Sequence, residues 1–249
     1  MKPMAKIVDY FIRSVSIKRQ EIEEDSYINS IPAIKSIRKL ALDNSLTFFV
    51  GENGSGKSTL LEAIAVAYGF NPEGGSKNFN FCTRATHSDL GKAIAIVKGV
   101  RSPKDGFFFR AESFYNVASE VDNLGISLKY YGGKSLHDQS HGESFFSLIQ
   151  NRFGGNGLYI LDEPEAALSP QRLLSLIVII SRLIKQNSQF IIATHSPILL
   201  GISGANILSF DDGKIRKTKY EDTECYQITK MFINNREQIL EKLLNDDNG

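Results

Sequence analysis

Cysteine is nearly missing from this chain. Cys82 and Cys225 are its only thiols; they lie far apart and neither has metal-binding spacing, so the expectation is two buried thiols in a reducing cytosol. A charge excess is missing too. Lys and Arg number 29 against 28 Asp and Glu, a net charge of +1, so no global electrostatic footprint for nucleic acid or membrane exists, although a local basic patch needs none. There is no long apolar run: Leu173–Ile184 is broken by Ser175, Ser181 and Arg182 and falls short of the ~20 residues that span a bilayer. The start, Met1–Lys6, lacks the apolar core of a signal peptide. Repeats and low-complexity segments are absent. The 249 residues, 42% of them hydrophobic, suffice for one large α/β domain, alone or with a subdomain, expected to be soluble and cytoplasmic.

The stretch Gly51-Glu52-Asn53-Gly54-Ser55-Gly56-Lys57-Ser58-Thr59 fits the phosphate-binding loop G-x-x-x-x-G-K-[ST]. An apolar, β-prone run, Leu46–Val50, enters it, and a segment of helical composition, Leu60–Tyr68, leaves it, the context the motif requires. Glycines let the backbone aim successive N–H groups at one anion, and the helix N-terminus adds its positive end. Asn53, Gly54, Ser55 and Gly56 are therefore candidate triphosphate contacts. Lys57 is expected at the β- and γ-phosphates, Ser58 at Mg²⁺, and Thr59 on the phosphates.

Along the chain, Tyr10–Arg19 alternates as a strand with Phe11, Val15 and Ile17 inward. Residues 27–42 read as a loop entering a short helix, and 71–80 as a loop. Ala93–Val97 and Phe107–Arg110 read as strands divided by the turn 102–106. Ser113–Asn123 has helical composition, and 129–139 is irregular. Gly142–Phe153 carries helical apolar spacing and stops at Gly154-Gly155-Asn156-Gly157. Leu158–Leu161 and Gln189–Ala193 are buried strands around a helix that starts at Ser169-Pro170. Asp211-Asp212-Gly213 between Ile207–Phe210 and Ile215–Lys217 is a hairpin signal, and Cys225–Leu244 reads as one C-terminal helix. Apolar strands divided by helices predict a sheet covered on both faces.

Leu158–Leu161 ends in Asp162-Glu163. In a parallel sheet that end faces the ligand crevice, so Asp162 is a candidate for Mg²⁺, through water, and Glu163 for orienting or deprotonating the attacking water. Ser140-His141-Gly142-Glu143 precedes that strand and Thr194-His195-Ser196 ends the next. Together these residues resemble the ABC-type ATPases, in the family order of phosphate loop, signature S-x-G-[Q/E], acidic strand end, D-loop (Ala166–Pro170) and switch histidine. The resemblance covers about residues 11–210. Within the class the chain is similar to soluble bacterial ATPases near the SMC and RecF branch, the small stand-alone predicted ATPases in particular.

The resemblance implies a P-loop NTPase fold of ABC type: a mainly parallel sheet flanked by helices, an antiparallel β portion, and a small helical subdomain at about 113–155, all in one domain. It implies ATP and Mg²⁺ as ligands and a homodimer that sandwiches nucleotide. Lys57, Glu163 and His195, the last as γ-phosphate sensor, serve catalysis. Ser140 and Gly142 of the other copy cap the γ-phosphate. The function implied is an ATP-driven switch or clamp without a membrane span, acting on a nucleic-acid or protein partner; the alternative is the nucleotide-binding subunit of a membrane transporter. Three features depart from the family pattern. No glutamine occurs between Ser58 and Gln139, so the Q-loop residue is missing, and Glu112 lies nearest its place as a candidate for Mg²⁺ or water. His141 stands where the signature has glycine. The D-loop aspartate is replaced around Ser169. No aromatic is an obvious stacking partner for adenine; Tyr27 is placed either to stack there or to pack in the core. A P-loop kinase or GTPase is disfavoured, because the signature is foreign to kinases and no N-K-x-D motif occurs.

Overall fold

In a computed structural model the described residues are 10–76, 90–111 and 140–245. Their strands are β1 (Ile12–Ile17), β2 (Leu40–Ala41), β3 (Leu46–Val50), β4 (Ile94–Lys98), β5 (Asp105–Arg110), β6 (Gly157–Asp162), β7 (Gln189–Ala193), β8 (Asn206–Ser209) and β9 (Arg216–Thr218). Two sheets form. The smaller is antiparallel in the order β2-β1-β4, and the larger runs β5-β6-β7-β3-β8-β9. From β5 to β8 every pairing in the larger sheet is parallel; β9 closes it antiparallel. The mixed α/β fold, mainly parallel with an antiparallel portion, is the one expected. The turn at 102–106 differs in detail: it carries the chain from β4 in one sheet to β5 in the other, and Asp105 and Gly106 are already strand.

The described helices are α1 (Pro32–Ser36), α2 (Lys57–Tyr68), α3 (Leu90–Ala93), α4 (His141–Arg152), α5 (Pro170–Lys185), α6 (Pro197–Leu200), α7 (Glu224–Asn234) and α8 (Arg236–Asn245). Each of the best-defined ones has a local cause. Ser169 Oγ accepts the Arg172 N–H at the start of α5, with Pro170 at the first helical position. Gly69, at φ 104°, ends α2 by giving its N–H to Ala65 and Val66. The single C-terminal helix expected over Cys225–Leu244 is two. Asn235, at φ −132° and ψ 32°, breaks it between α7 and α8, and no apolar cover holds the helices to a common axis, since α7 and α8 bury no residue.

The central strands bury every side chain, and successive residues feed two cores. Leu46, Phe48, Tyr159, Leu161, Phe190 and Ile192 face α5, whose Leu173, Leu176, Ile180 and Leu183 recur at helical spacing. Phe49, Leu158, Ile160, Ile191 and Ala193 face the opposite core, to which α2 contributes Leu61 and Ile64 and β1 contributes Ile12 and Val15. Each buried Leu, Ile or Phe side chain among them stabilises the fold by about 1.5–3 kcal/mol. The seam between the sheets is polar. Gln189, 1% exposed, donates to the carbonyls of Ile12 and Leu42 at 2.8 Å and accepts the Ile12 N–H at 2.9 Å. One amide thus satisfies both backbone groups of Ile12 at the point where the sheets meet. Gln189→Leu keeps the volume but orphans these buried groups, at about 1–3 kcal/mol each. Its thermal midpoint should fall by roughly 6 °C or more; a midpoint within about 1 °C of the parent would contradict the clamp.

Candidate active site

The parallel strands bring three loops to one edge. Strand β7 lies between β6 and β3, so the loop after β7, with His195, sits between the carboxylates after β6 and the phosphate loop after β3. In that loop Gly56 caps α2 at φ 99°, and a Cβ there would lie 2.7 Å from Ile31 Cγ2. Only glycine lets the loop close against α1. Lys57 is 4% exposed, and its Nζ donates to the loop carbonyls of Gly51 at 2.7 Å and Glu52 at 2.8 Å. Burial holds its pKa below the ordinary lysine value, and the nearby carboxylates of Glu163, Asp162, Asp211 and Glu165 offset this only in part. A cation held in a glycine loop at a helix N-terminus is a phosphate cradle in charge and shape. Asn53 and Gly54 are exposed, and Ser55 Oγ is buried without a hydrogen-bond partner among the described residues. Thr59 follows Ser58 in the first turn of α2.

Ser58 Oγ donates to Asp162 Oδ1 at 2.9 Å. A hydroxyl and a carboxylate in contact at a phosphate loop are the hard oxygen donors Mg²⁺ takes, usually one or two from protein and the rest from phosphate and water. The residues therefore fit that ion. Glu163 follows in the left-handed region at φ 48°, which swings its side chain toward the next strand end. Its Oε1 lies 3.7 Å from His195 Nε2, which is buried and has no hydrogen-bond partner among the described residues. Glu163, His195, Gly51 and Asn53 line a cavity of about 610 Å³ whose far wall is Cys225 and Ile228 of α7. A second cavity of about 640 Å³, beside Asn53 and Ser55, is walled by Asp211, Asp212 and Glu224. Tyr27, 57% exposed, lines neither.

Ser140 and Gly142 line neither cavity. Ser140 is exposed at the start of α4, and its Oγ donates to Glu143 Oε2 at 2.7 Å, as its N–H does at 3.1 Å. The hydroxyl expected to cap a γ-phosphate is thus engaged within its own helix cap. These bonds, reinforced by Arg172, hold the Glu143 pKa below the usual carboxylate range. Gly142 packs on the 3-10 turn Pro164–Ala167, which overlaps the expected D-loop only at Ala166 and Ala167: a Cβ there would meet the Ala167 carbonyl oxygen at 2.6 Å. Glu112 and the expected helix at 113–123 lie outside the described residues. Cys225 is half-buried rather than buried, with its pKa raised by that burial, and Cys82 also lies outside the described residues.

Sequence reasoning missed four side chains here. Asp211 backs the phosphate loop, accepting the Glu52 N–H at 3.2 Å and the Ser209 hydroxyl at 2.6 Å; in sequence it is only a turn residue. Arg110, directly opposite Asp162 in the β5–β6 register, donates to Glu62 Oε2 at 2.7 Å and brings Nε to 4.0 Å from Asp162 Oδ2. The spacing Ser58–Glu62 places both on one face of α2, the signal that could have found that pair. Glu165 is the fourth.

A family profile described as "AAA domain" matches residues 27–155. The chain belongs to the AAA domain family. A second profile, "AAA domain, putative AbiEii toxin, Type IV TA system", matches residues 138–201. Membership makes the chain an ATPase by family, with ATP as its nucleotide. Among characterised proteins it is similar to the Phosphate import ATP-binding protein PstB 2 of Streptococcus thermophilus, 26% identical over 173 residues, which are 58% of this chain and 67% of the relative. PstB 1 of Streptococcus agalactiae serotype III is 27% identical over the same shares. Among solved structures, the SMC head domain from Thermotoga maritima superposes with a TM-score of 0.42 at 15% identity, over 84% of this chain and 98% of that one. The SMC head bound to the C-winged helix domain of ScpA gives 0.47 at 15% identity, over 85% and 99%. No helix among the described residues is long and apolar enough to cross a membrane.

The contact of α4 with the turn Pro164–Ala167 is directly testable. Gly142→Ala forces a methyl group against the Ala167 carbonyl, an overpacking worth about 1–3 kcal/mol, so its thermal midpoint should drop by roughly 2–10 °C. An unchanged midpoint would mean that α4 and the turn move freely past each other.

Proposed function

We propose that this protein binds and hydrolyses ATP with Mg²⁺ in a nucleotide-sandwich homodimer and uses the cycle as a switch or clamp on a partner. The observation that carries the reading is the convergence of Lys57, the Ser58–Asp162 pair and the Glu163–His195 pair on one sheet edge. Lys57 and the loop N–H groups bind the phosphates. Ser58 and Asp162 would hold Mg²⁺, which would supply charge neutralisation to the triphosphate. Glu163 takes the proton of the attacking water. The water oxygen then bonds to the γ-phosphorus as the bond to the β-bridging oxygen breaks, leaving ADP and phosphate. His195 orients the γ-phosphate through Nε2.

The second half of the pocket comes from another copy. Ser140 is exposed at the start of α4, neither it nor Gly142 lines a cavity beside its own chain's phosphate loop, and the α4 N-terminus offers its dipole to a γ-phosphate across an interface. Closure then depends on ATP, because only the closed dimer completes the contacts. Ser140 must give up its bond to Glu143 to take part. The target is a protein or nucleic acid.

A second reading, an ATP-binding subunit of an importer, is favoured by the similarity to the PstB proteins. The missing Q-loop glutamine weighs against it, and co-purification with a membrane-spanning partner would favour it. Glu163→Gln should slow turnover by ~10²–10⁴-fold while calorimetry shows ATP bound as tightly as in the parent, and Lys57→Ala should lose ATP binding. Near-normal turnover in the first variant, or retained tight binding in the second, contradicts the assignment. Assays with and without DNA or RNA read the partner class.

A further inference from the structure

Glu165 has no part in the mechanism above, yet its side chain is committed to the site. It lies two residues past Glu163, in the 3-10 turn Pro164–Ala167, and turns back to the neighbouring strand end. Its Oε1 accepts the His195 backbone N–H at 2.5 Å, and the Thr194 hydroxyl also donates to the carboxylate. Its Oε2 is buried with no hydrogen-bond partner among the described residues. A buried carboxylate with an orphaned oxygen is costly to keep, and burial pushes its pKa up accordingly.

What the carboxylate holds is the whole switch loop. Thr194, fully buried, accepts the Ser196 N–H at 3.0 Å. Ser196 in turn caps α6, accepting the Leu199 N–H at 3.4 Å. The chain Glu165–Thr194–Ser196 therefore fixes the backbone on both sides of His195, and the His195 N–H is fixed by Glu165 itself. The imidazole leaves that anchored backbone toward Glu163, at 3.7 Å. Among the described residues His195 Nε2 has no hydrogen-bond partner that would set this direction.

We propose that Glu165 is a positioning residue that ties the acidic strand end to the switch loop and holds His195 opposite Glu163. The inference rests on the ATPase reading above for its kinetic consequence but not for its structural one. It covers a step that kinetics and amide exchange can separate.

The test is a double-mutant cycle joined to hydrogen exchange of the nucleotide-free protein. Glu165→Ala should lower kcat at least ~10-fold with KM for ATP within about 2-fold, whereas Glu165→Gln, which keeps an acceptor oxygen, should retain most of the rate. Glu165→Ala combined with His195→Ala should be no slower than His195→Ala alone, because one residue acts through the other. Without nucleotide, the His195 amide should be protected in the parent and exchange at least ~10-fold faster in Glu165→Ala. If Glu165→Ala does not fold, Glu165→Asp, too short to span the gap, replaces it in every arm. Unchanged amide exchange, or effects that multiply in the double variant, overturns the proposal. A parent-like rate in His195→Ala with fast amide exchange in Glu165→Ala overturns the kinetic role of His195 and leaves the tether standing.

Discussion

The hydrogen bond from Ser58 to Asp162 joins the first turn of α2 to the end of β6, and the geometry of the site follows from it. It requires that β3 and β6 end at the same level, two strands apart, with β7 ending between them. Parallel pairing in register achieves this: Phe48 and Leu161 both face Ile192 across β7. All three loops then emerge on one edge, where a parallel α/β sheet binds its ligand. The same edge concentrates charge. Burial holds the Lys57 pKa below its ordinary value, and Glu163, Asp162, Asp211 and Glu165 offset that only in part.

The sheet that supports this edge is held from both faces and at one seam. Alternating residues of the same strands bury against α5 on one side and α2 with β1 on the other, so displacing any one strand disturbs both cores. Gln189 bonds the antiparallel sheet to the parallel one through Ile12 and Leu42. At the far end of β6, Tyr159 donates to Asp105, which also pairs with Arg152. Polar ties at strand starts and functional groups at strand ends divide the sheet into a fixed edge and a working edge.

Much of this was legible in the sequence because it is written in local pattern. The nine residues of the phosphate loop and the apolar strands β3, β6 and β7 could be read directly, since a fully buried parallel strand has no polar alternation to confuse it. The Ser169-Pro170 helix start followed from its own chemistry. What could not be read depends on how strand ends meet. Glu165 is one more acid after Asp162-Glu163-Pro164 until the turn aims it at His195. Arg110 is a strand-end cation until register sets it beside Asp162. Ser140 opens a helix as expected, but only the structure reveals that Glu143 holds its hydroxyl. The break at Asn235 has no proline or glycine to announce it; the apolar pattern runs on through Ile239 and Leu243 while the backbone turns.

The proposed sandwich makes each chain half of an active site, and mixing two inactive variants measures that most directly. Lys57→Ala disables the phosphate loop, and Ser140→Arg blocks the face that would cap another copy's nucleotide. In a heterodimer of the two, one pocket pairs an intact Lys57 with an intact Ser140. An equimolar mixture of the two separately inactive proteins should recover roughly a quarter of the parent ATPase rate, since half the dimers are mixed and each has one good site. A mixture no more active than the sum of its components would contradict the account and leave a site complete within a single chain.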